Sequence, residues 1–473
     1  MAPELTARPG FNVIGHLTGN LGLGVLARNV VRFLLQRGER VAALDIDPGH
    51  GRGMQDLSLH ALCVATASEL PYEINLFVLP VPSIEPLLQN FGEMIVDPSR
   101  LNVALPMWEL SVLPPGWRRI LEFFDVVLAG SGFIRSTLAC NLSGIFVVAA
   151  EQTLFLPDIV PVSRDRFGLA ADEIVFLTAF EPSSDPSRKN PAGAIIAFLE
   201  ALSDHPRARL IVKANNAVLD GRVHPSVEAL KGLAGHSEQI TFLTDNYAYQ
   251  EVLGLMAAVD VVVSLHRAEG LGLVPMEAMA LGKPVVATAW SGAMSYMDHT
   301  NACLVDYELV PVAGSGGAYE RMLDGLPADW AEPNLSTAGA WMKRLAGDAE
   351  LRERLGRKAK AGIDCYHGNA LKGHWLEELE TIYRYREILC PKISQRQQWL
   401  RELGEPSASL RDCPSATAYL ADALVRNRDL AIALARAEAR LASIEASTSW
   451  RITSPLRALT DRVRRLRARY GEG

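Results

Sequence analysis

The stretch HRAEGLGLVPMEAMALGKPVVATAWSG, His266 to Gly292, sets two acids eight residues apart, Glu269 and Glu277, with two glycines and a proline between them. The residues just before it, DVVVSLH, read as a buried strand, and KPVVATA near its end reads as another. RAEGLG is then a turn at a strand's carboxyl end, and LVPMEAMALG is a helix. Pro275 is tolerated there because it falls in the first turn. The first N–H groups of a helix have no partner inside it. Gly270 and Gly272 carry no side chains, so a ligand can approach the backbone from Gly270 through Leu271 and Gly272 to Leu273. This is a site for a phosphate. Glu277, one turn inside the helix, is placed to bond a pair of sugar hydroxyls beside that phosphate, and Glu269 reaches its other side. The spacing suits a nucleotide diphosphate-sugar. The plainer alternative is a helix whose acids only complement its positive end.

Outward from this stretch, short apolar runs alternate with helical patterns. FNVIGHL, RVAALDI, YEINLFVL, RLNVAL and DVVLAG form one series of strands; EIVFLTAF, ARLIVKA, QITFLT, DVVVSLH and KPVVATA form a second. Continuous apolar strands joined by helices predict parallel sheets covered on both faces. The fold class is α/β, with two doubly wound, Rossmann-like domains facing a cleft. We place them at residues 1–165 and 166–390, the second with returning helices, followed by a linker and a helical, basic tail at 391–473. In such sheets ligands bind beyond the strands' carboxyl ends.

In the tail, Leu420, Asn427, Leu434 and Leu441 are spaced by seven, and Ala423, Leu430, Ala437 and Ile444 fill the complementary heptad position. This predicts either a parallel dimer or a long helix packed on its own chain. From Arg451 onward there are seven Arg and two acids, which predicts docking on an anionic membrane surface or a solvated helix.

Composition narrows the field. Hydrophobic residues make up 49% and charged ones 21%, as in ordinary globular domains. A net charge of −7 argues against a nucleic-acid partner. No apolar run of membrane-spanning length and no N-terminal apolar signal stand out, so the expected location is cytoplasmic, with at most a peripheral contact with the inner membrane. The six cysteines form no CxxC, and no acidic cluster suggests a metal site.

The ordered set EGLGLVPME, AMALGKPVVATAWSG, GNLGLG, PYEINLF, WEL, SGFIRSTL, RKNP, LIVKANN, LVDYELVPV and WAEPN resembles retaining glycosyltransferase family 4, which has the GT-B fold. It is similar to the branch that builds bacterial surface polysaccharides such as O-antigen and capsule, mannosyltransferases among them. The resemblance spans about residues 10 to 390. It implies a retaining hexosyltransferase with a nucleotide-sugar donor, a glycan acceptor, no cofactor and no metal. It places Glu269 at the transferred sugar, Glu277 on the ribose hydroxyls and Gly270–Leu273 over the diphosphate. Lys189 matches the lysine of the family's phosphate-neutralising Arg–Lys pair. Ser183 stands where the arginine is usual, so Arg188 or Lys213 is expected in its place. Independently of any family, a diphosphate leaving group needs cations where charge develops, and Arg188, Lys189 and Lys213 sit at strand ends. Arg188 and Lys189 also fit ordinary helix-flanking charges.

Gly19, Gly22 and Gly24 follow the first strand, and Asp45 and Asp47 end the second. This invites a dinucleotide reading, but the spacing is G-x-x-G-x-G rather than G-x-G-x-x-G. In the family this loop faces the donor across the cleft, which assigns Gly22 and Gly24 to donor binding. Trp108 and Glu109, at a strand's carboxyl end, suit a sugar acceptor or a core tryptophan with a surface acid. His266 suits a bond to the donor sugar or a structural role. Two rival functions remain: a non-catalytic donor-binding scaffold of a polysaccharide assembly, and a nicotinamide-dependent oxidoreductase.

Overall fold

Two six-stranded parallel sheets carry the chain in a computed structural model that describes residues 8–46, 56–88, 91–114, 116–219, 221–315, 317–390, 392, 395–398 and 401. The heptads, the basic end and Asp47 lie outside the described residues. The first sheet holds β1 (Phe11–Gly15), β2 (Val41–Asp45), β3 (Ile74–Val78), β4 (Leu101–Ala104), β5 (Val126–Ala129) and β6 (Phe146–Ala149), in the order β2-β1-β3-β4-β5-β6. The second domain contributes β7 (Ile174–Phe180), β8 (Ala208–Ala214), a small hairpin of β9 (Val218–Leu219) and β10 (Arg222–Val223), then β11 (Ile240–Leu243), β12 (Val261–Ser264), β13 (Val285–Thr288) and β14 (Cys303–Val305). Its sheet order is β11-β8-β7-β12-β13-β14.

The apolar runs become strands because helices cover both faces of each sheet; β1, β3 and β5 are buried at every position. Register in the first sheet has a polar pin. Asn12, Asn75 and Asn102 stand side by side in β1, β3 and β4, and each donates its amide to the next or to a nearby carbonyl, at 2.7–2.9 Å. A one-residue slip would bury these amides unpaired.

Two features outside the sheets matter. The helix His374–Arg384 returns to the first domain: Trp375, Leu376, Leu379, Ile382 and Tyr383 join its core, and Trp375 stacks on Phe33 at 5.3 Å. The end of the segment 166–390 thus packs on the first sheet's core. Second, β15 (Tyr307–Pro311) and β16 (Asp329–Pro333) form an antiparallel arm bearing the helix Ala318–Leu323. Its Val312, Tyr319, Leu323 and Trp330 pack into the first domain's core beside Trp108 and Trp117.

Candidate active site

Each sheet has a point where strand order reverses, and there the loops leaving adjacent strands diverge and open a crevice. In the second sheet this lies between β7 and β12. The turn after β7 carries Arg188 and Lys189 on the short helix Pro186–Lys189, and the turn after β12 carries Glu269. The three meet. Glu269 is 5% exposed and pairs with Lys189 Nζ and, at 3.2 Å, with Arg188 Nη1. Burial alone would raise its carboxyl pKa, but Lys189, Arg188 and His266 overcome that and hold it down at about 2. The backbone N–H of Glu269 donates to Ser291 Oγ at 2.8 Å. The crevice therefore holds a buried, fixed negative charge flanked by two cations.

Glu277 lies within the helix Leu273–Ala280 and is also 5% exposed. Gly272 precedes that helix at φ +84°, a conformation that favours glycine, and its carbonyl accepts the Tyr296 hydroxyl. Burial pushes the Glu277 carboxyl up to about 7; the Tyr249 hydroxyl, donating to Oε1 at 2.7 Å, and Lys189 pull the other way without prevailing. Two acids eight residues apart thus occupy opposite electrostatic settings: Glu269 stays ionised and Glu277 titrates near neutrality.

Other expected residues have different roles. Gly270 is packed under the first domain: its carbonyl accepts Ser131 Oγ at 2.6 Å, and a Cβ there would stand 3.1 Å from Met107 Cε and Trp108 O. Leu271 is 2% exposed. This half of the glycine turn docks the domains, and Gly272 and Leu273 are what remain at the helix start. Lys213, expected in place of the missing arginine, lies among protein oxygens. Its Nζ donates to Ala214 O, Asn215 Oδ1 and Asp245 O at 2.9–3.2 Å beneath the Tyr247 ring, and burial pushes its pKa down to about 8. It ties together the loops after β8 and β11. His266 is fully buried between Ser264 Oγ at 3.0 Å and Trp290 O at 3.3 Å, and burial lowers its pKa, so both ring nitrogens serve the fold.

Trp108 presents no open face. It is 3% exposed, stacked on Tyr319 at 5.2 Å and edge-on to Trp117 at 4.5 Å, with Nε1 donating to Val112 O. Glu109 accepts the Tyr319 hydroxyl and lies 3.9 Å from Arg188 Nη2. Arg188 in turn donates to Ala268 O at 2.8 Å, and its Nε has no hydrogen-bond partner among the described residues. Across the crevice, Gly22 opens the helix Gly22–Gln36 and faces Leu273, whose Cδ1 would stand 3.7 Å from a Cβ there. Gly24 is buried against Gly19 O. The fully buried Arg28 shapes this loop by donating to Leu17 O and Gly19 O. Asp45 is occupied in the same way, accepting from Leu17 N, Thr18 N and Thr18 Oγ1, so it does not present itself to a dinucleotide ribose.

Tyr249, Tyr319 and Asp185 were given no role from the sequence, and Ser131 and Ser291, although they lie in SGFIRSTL and AMALGKPVVATAWSG, were given none either. Asp185 is informative: at φ +61° it caps Ser187 N at 3.0 Å and accepts Ala318 N at 2.8 Å, joining the short Arg188 helix to the arm. Among the described residues no group of three or more metal-ligating side chains is assembled.

Residues 185–313 match the family described as glycosyl transferases group 1. D-inositol 3-phosphate glycosyltransferase of Corynebacterium jeikeium is 27% identical over 206 residues, which is 43% of this chain and 41% of that protein. The chain matches about half or less of the length of such curated relatives. In fold it is similar to sucrose-phosphate synthase of Thermosynechococcus elongatus, with a TM-score of 0.57 at 16% identity over 80% of this chain and 99% of that one. It is also similar to HepE of Anabaena, with a TM-score of 0.51 at 16% identity over 79% and 100%. The chain has the GT-B fold, and residues 185–313 within it match the group 1 glycosyl transferases.

Proposed function

We propose that the protein is a retaining glycosyltransferase that moves a hexose from a nucleotide diphosphate-sugar to a hydroxyl of a growing surface glycan. The observation that carries this reading is the pairing of ionised Glu269 with Lys189 and Arg188 at the strand-order reversal, one turn from the helix start that Glu277 follows. The Anabaena HepE neighbour was solved with UDP and glucose, and the curated relatives are named glycosyltransferases; both support a nucleotide-sugar donor. Mannose as the sugar and a polysaccharide as the acceptor rest on the resemblance of the motifs.

In this reading the nucleotide lies against the second domain. Glu277 accepts from the ribose hydroxyls, and the start of the Leu273–Ala280 helix and Lys189 face the diphosphate. Glu269 stays ionised beside the transferred sugar and favours positive charge at its anomeric carbon. Two-carboxylate glycosidases place a nucleophile and an acid across the bond; here Glu277 is committed to the ribose. The departing phosphate oxygen takes the acceptor's proton on the same face, which gives retention. The domain contacts at Gly270 and Ser131 keep water from the sugar.

A thermal-shift panel of GDP, UDP, TDP and ADP, their sugar conjugates and NAD tests this. A ligand at a hundred times its dissociation constant adds about 2.7 kcal/mol. Stabilisation by one nucleotide family, lost in Glu277→Ala, is expected. Binding without sugar transfer would favour the scaffold, for which Ser183 at the arginine position speaks. A response to NAD alone would overturn the transferase.

A further inference from the structure

Glu277 has a partner that the mechanism above leaves unused. Tyr249 begins the helix Tyr249–Ala258, and its hydroxyl donates to Glu277 Oε1. Tyr249 is 8% exposed, and its ring packs against Val25, on the first domain's glycine-loop helix, and against Leu253. Beside it, Asn20 of the glycine loop donates Nδ2 to Tyr247 O at 2.9 Å. The hydroxyl that fixes one oxygen of Glu277 is therefore carried on a ring seated between the two domains.

A glutamate side chain turns about three bonds, and a carboxylate that must receive two neighbouring hydroxyls loses affinity when it samples other orientations. With Oε1 held, Oε2 and the remaining lone pair of Oε1 are left to accept from a ligand. Resting on the nucleotide-sugar reading, we propose that Tyr249 is a positioning residue. It aims Glu277 at the ribose of a nucleoside diphosphate, and it does so while the glycine-loop helix holds its ring in place, so that nucleotide affinity is tied to the seating of the first domain. A tyrosine that merely fills its niche would affect stability and leave ligand affinity alone.

Tyr249→Phe in the full chain removes the hydroxyl and keeps the ring. The probe is whichever of GDP, UDP, TDP or ADP stabilises the wild type, with its dissociation constant read by calorimetry and with KM and kcat for the matching sugar conjugate. Affinity and KM should worsen about tenfold, the worth of a hydrogen bond to a charged group, while kcat stays within about twofold. Val25→Ala loosens the ring's seat without touching Glu277. It should weaken nucleotide binding about threefold in the wild type and add nothing in the Tyr249→Phe background, because both act through one hydroxyl. Wild-type affinity in Tyr249→Phe would overturn the proposal, and additive losses would remove the link to the first domain. If the wild type binds no nucleoside diphosphate, the proposed function falls with it; if the wild type binds and Tyr249→Phe binds equally, only this inference falls.

Discussion

Arg188 Nη1 lies 3.2 Å from Glu269 Oε2, joining turns that leave two neighbouring strands 81 residues apart in sequence. Both side chains are about 5% exposed. Removing one member of a buried pair leaves the other uncompensated, at a cost of about 3 kcal/mol. Glu269→Gln should therefore lower stability by about that amount in urea unfolding and also abolish sugar transfer. An unchanged unfolding midpoint would show that Arg188 and Lys189 find other partners.

The same pair sets an acid limit. The folded Glu269 carboxyl, at about 2, lies below its unfolded value near 4.5. Its contribution is present above pH 4.5 and is lost as pH falls from there through 2. Melting temperatures across that window should fall more steeply in the wild type than in Glu269→Gln.

Glu277 behaves oppositely. Its folded value of about 7 exceeds the unfolded 4.5, so its contribution is complete below pH 4.5 and is lost as pH rises through 7. The groups that face it are Tyr249, Lys189 and Tyr296, with Arg28 and Arg32 acting on Tyr249. The ligand-free protein should lose stability between pH 5 and 8, and Glu277→Gln should flatten that slope. Nucleotide affinity should rise over the same interval as the carboxylate forms.

Lys189 and Lys213 separate a ligand cation from a structural one. Lys189→Met should weaken nucleotide binding about tenfold or more, since in the proposed complex it removes a charge facing the diphosphate. Lys213→Met should lower the melting point and leave binding nearly unchanged, because its ammonium is spent on three protein oxygens. The reverse result in calorimetry would return Lys213 to the phosphate.

The glycine loop offers a steric test. A Cβ at Gly24 would stand 2.1 Å from Gly19 O, whereas one at Gly22 would meet only Leu273 Cδ1 at 3.7 Å. Gly24→Ala should destabilise the first domain by about 2 kcal/mol or more, since backbone cannot move aside cheaply. Gly22→Ala should melt like the wild type. Equal melting points would disprove the packing of this loop.

Much of this was legible because it is local. Alternation of apolar runs and helices predicts two parallel sheets, since a strand covered on both faces must be apolar throughout. The turn at Glu269, the glycine before the helix and Pro275 in its first turn are one continuous piece of chain. The arm at 307–333 was missed because amphipathic periodicity shows that a face is buried but not which domain buries it. Trp375 and Tyr319 look like any core aromatics until their partners, Phe33 and Trp108, are known.

The sequence by itself determined the two-sheet fold, the loop-to-helix start at Gly272 and the placement of Glu269 and Glu277 on either side of it, because turn chemistry and helix periodicity act over a few residues. Only the tertiary structure decided which cations reach Glu269. Arg188 and Lys189 follow β7 and Lys213 lies near the end of β8 in the same sheet, but β7 borders the reversal beside β12 while β8 lies one strand away. That single step of strand order brings Lys189 to Glu269 and leaves Lys213 among backbone carbonyls, and no local pattern encodes it.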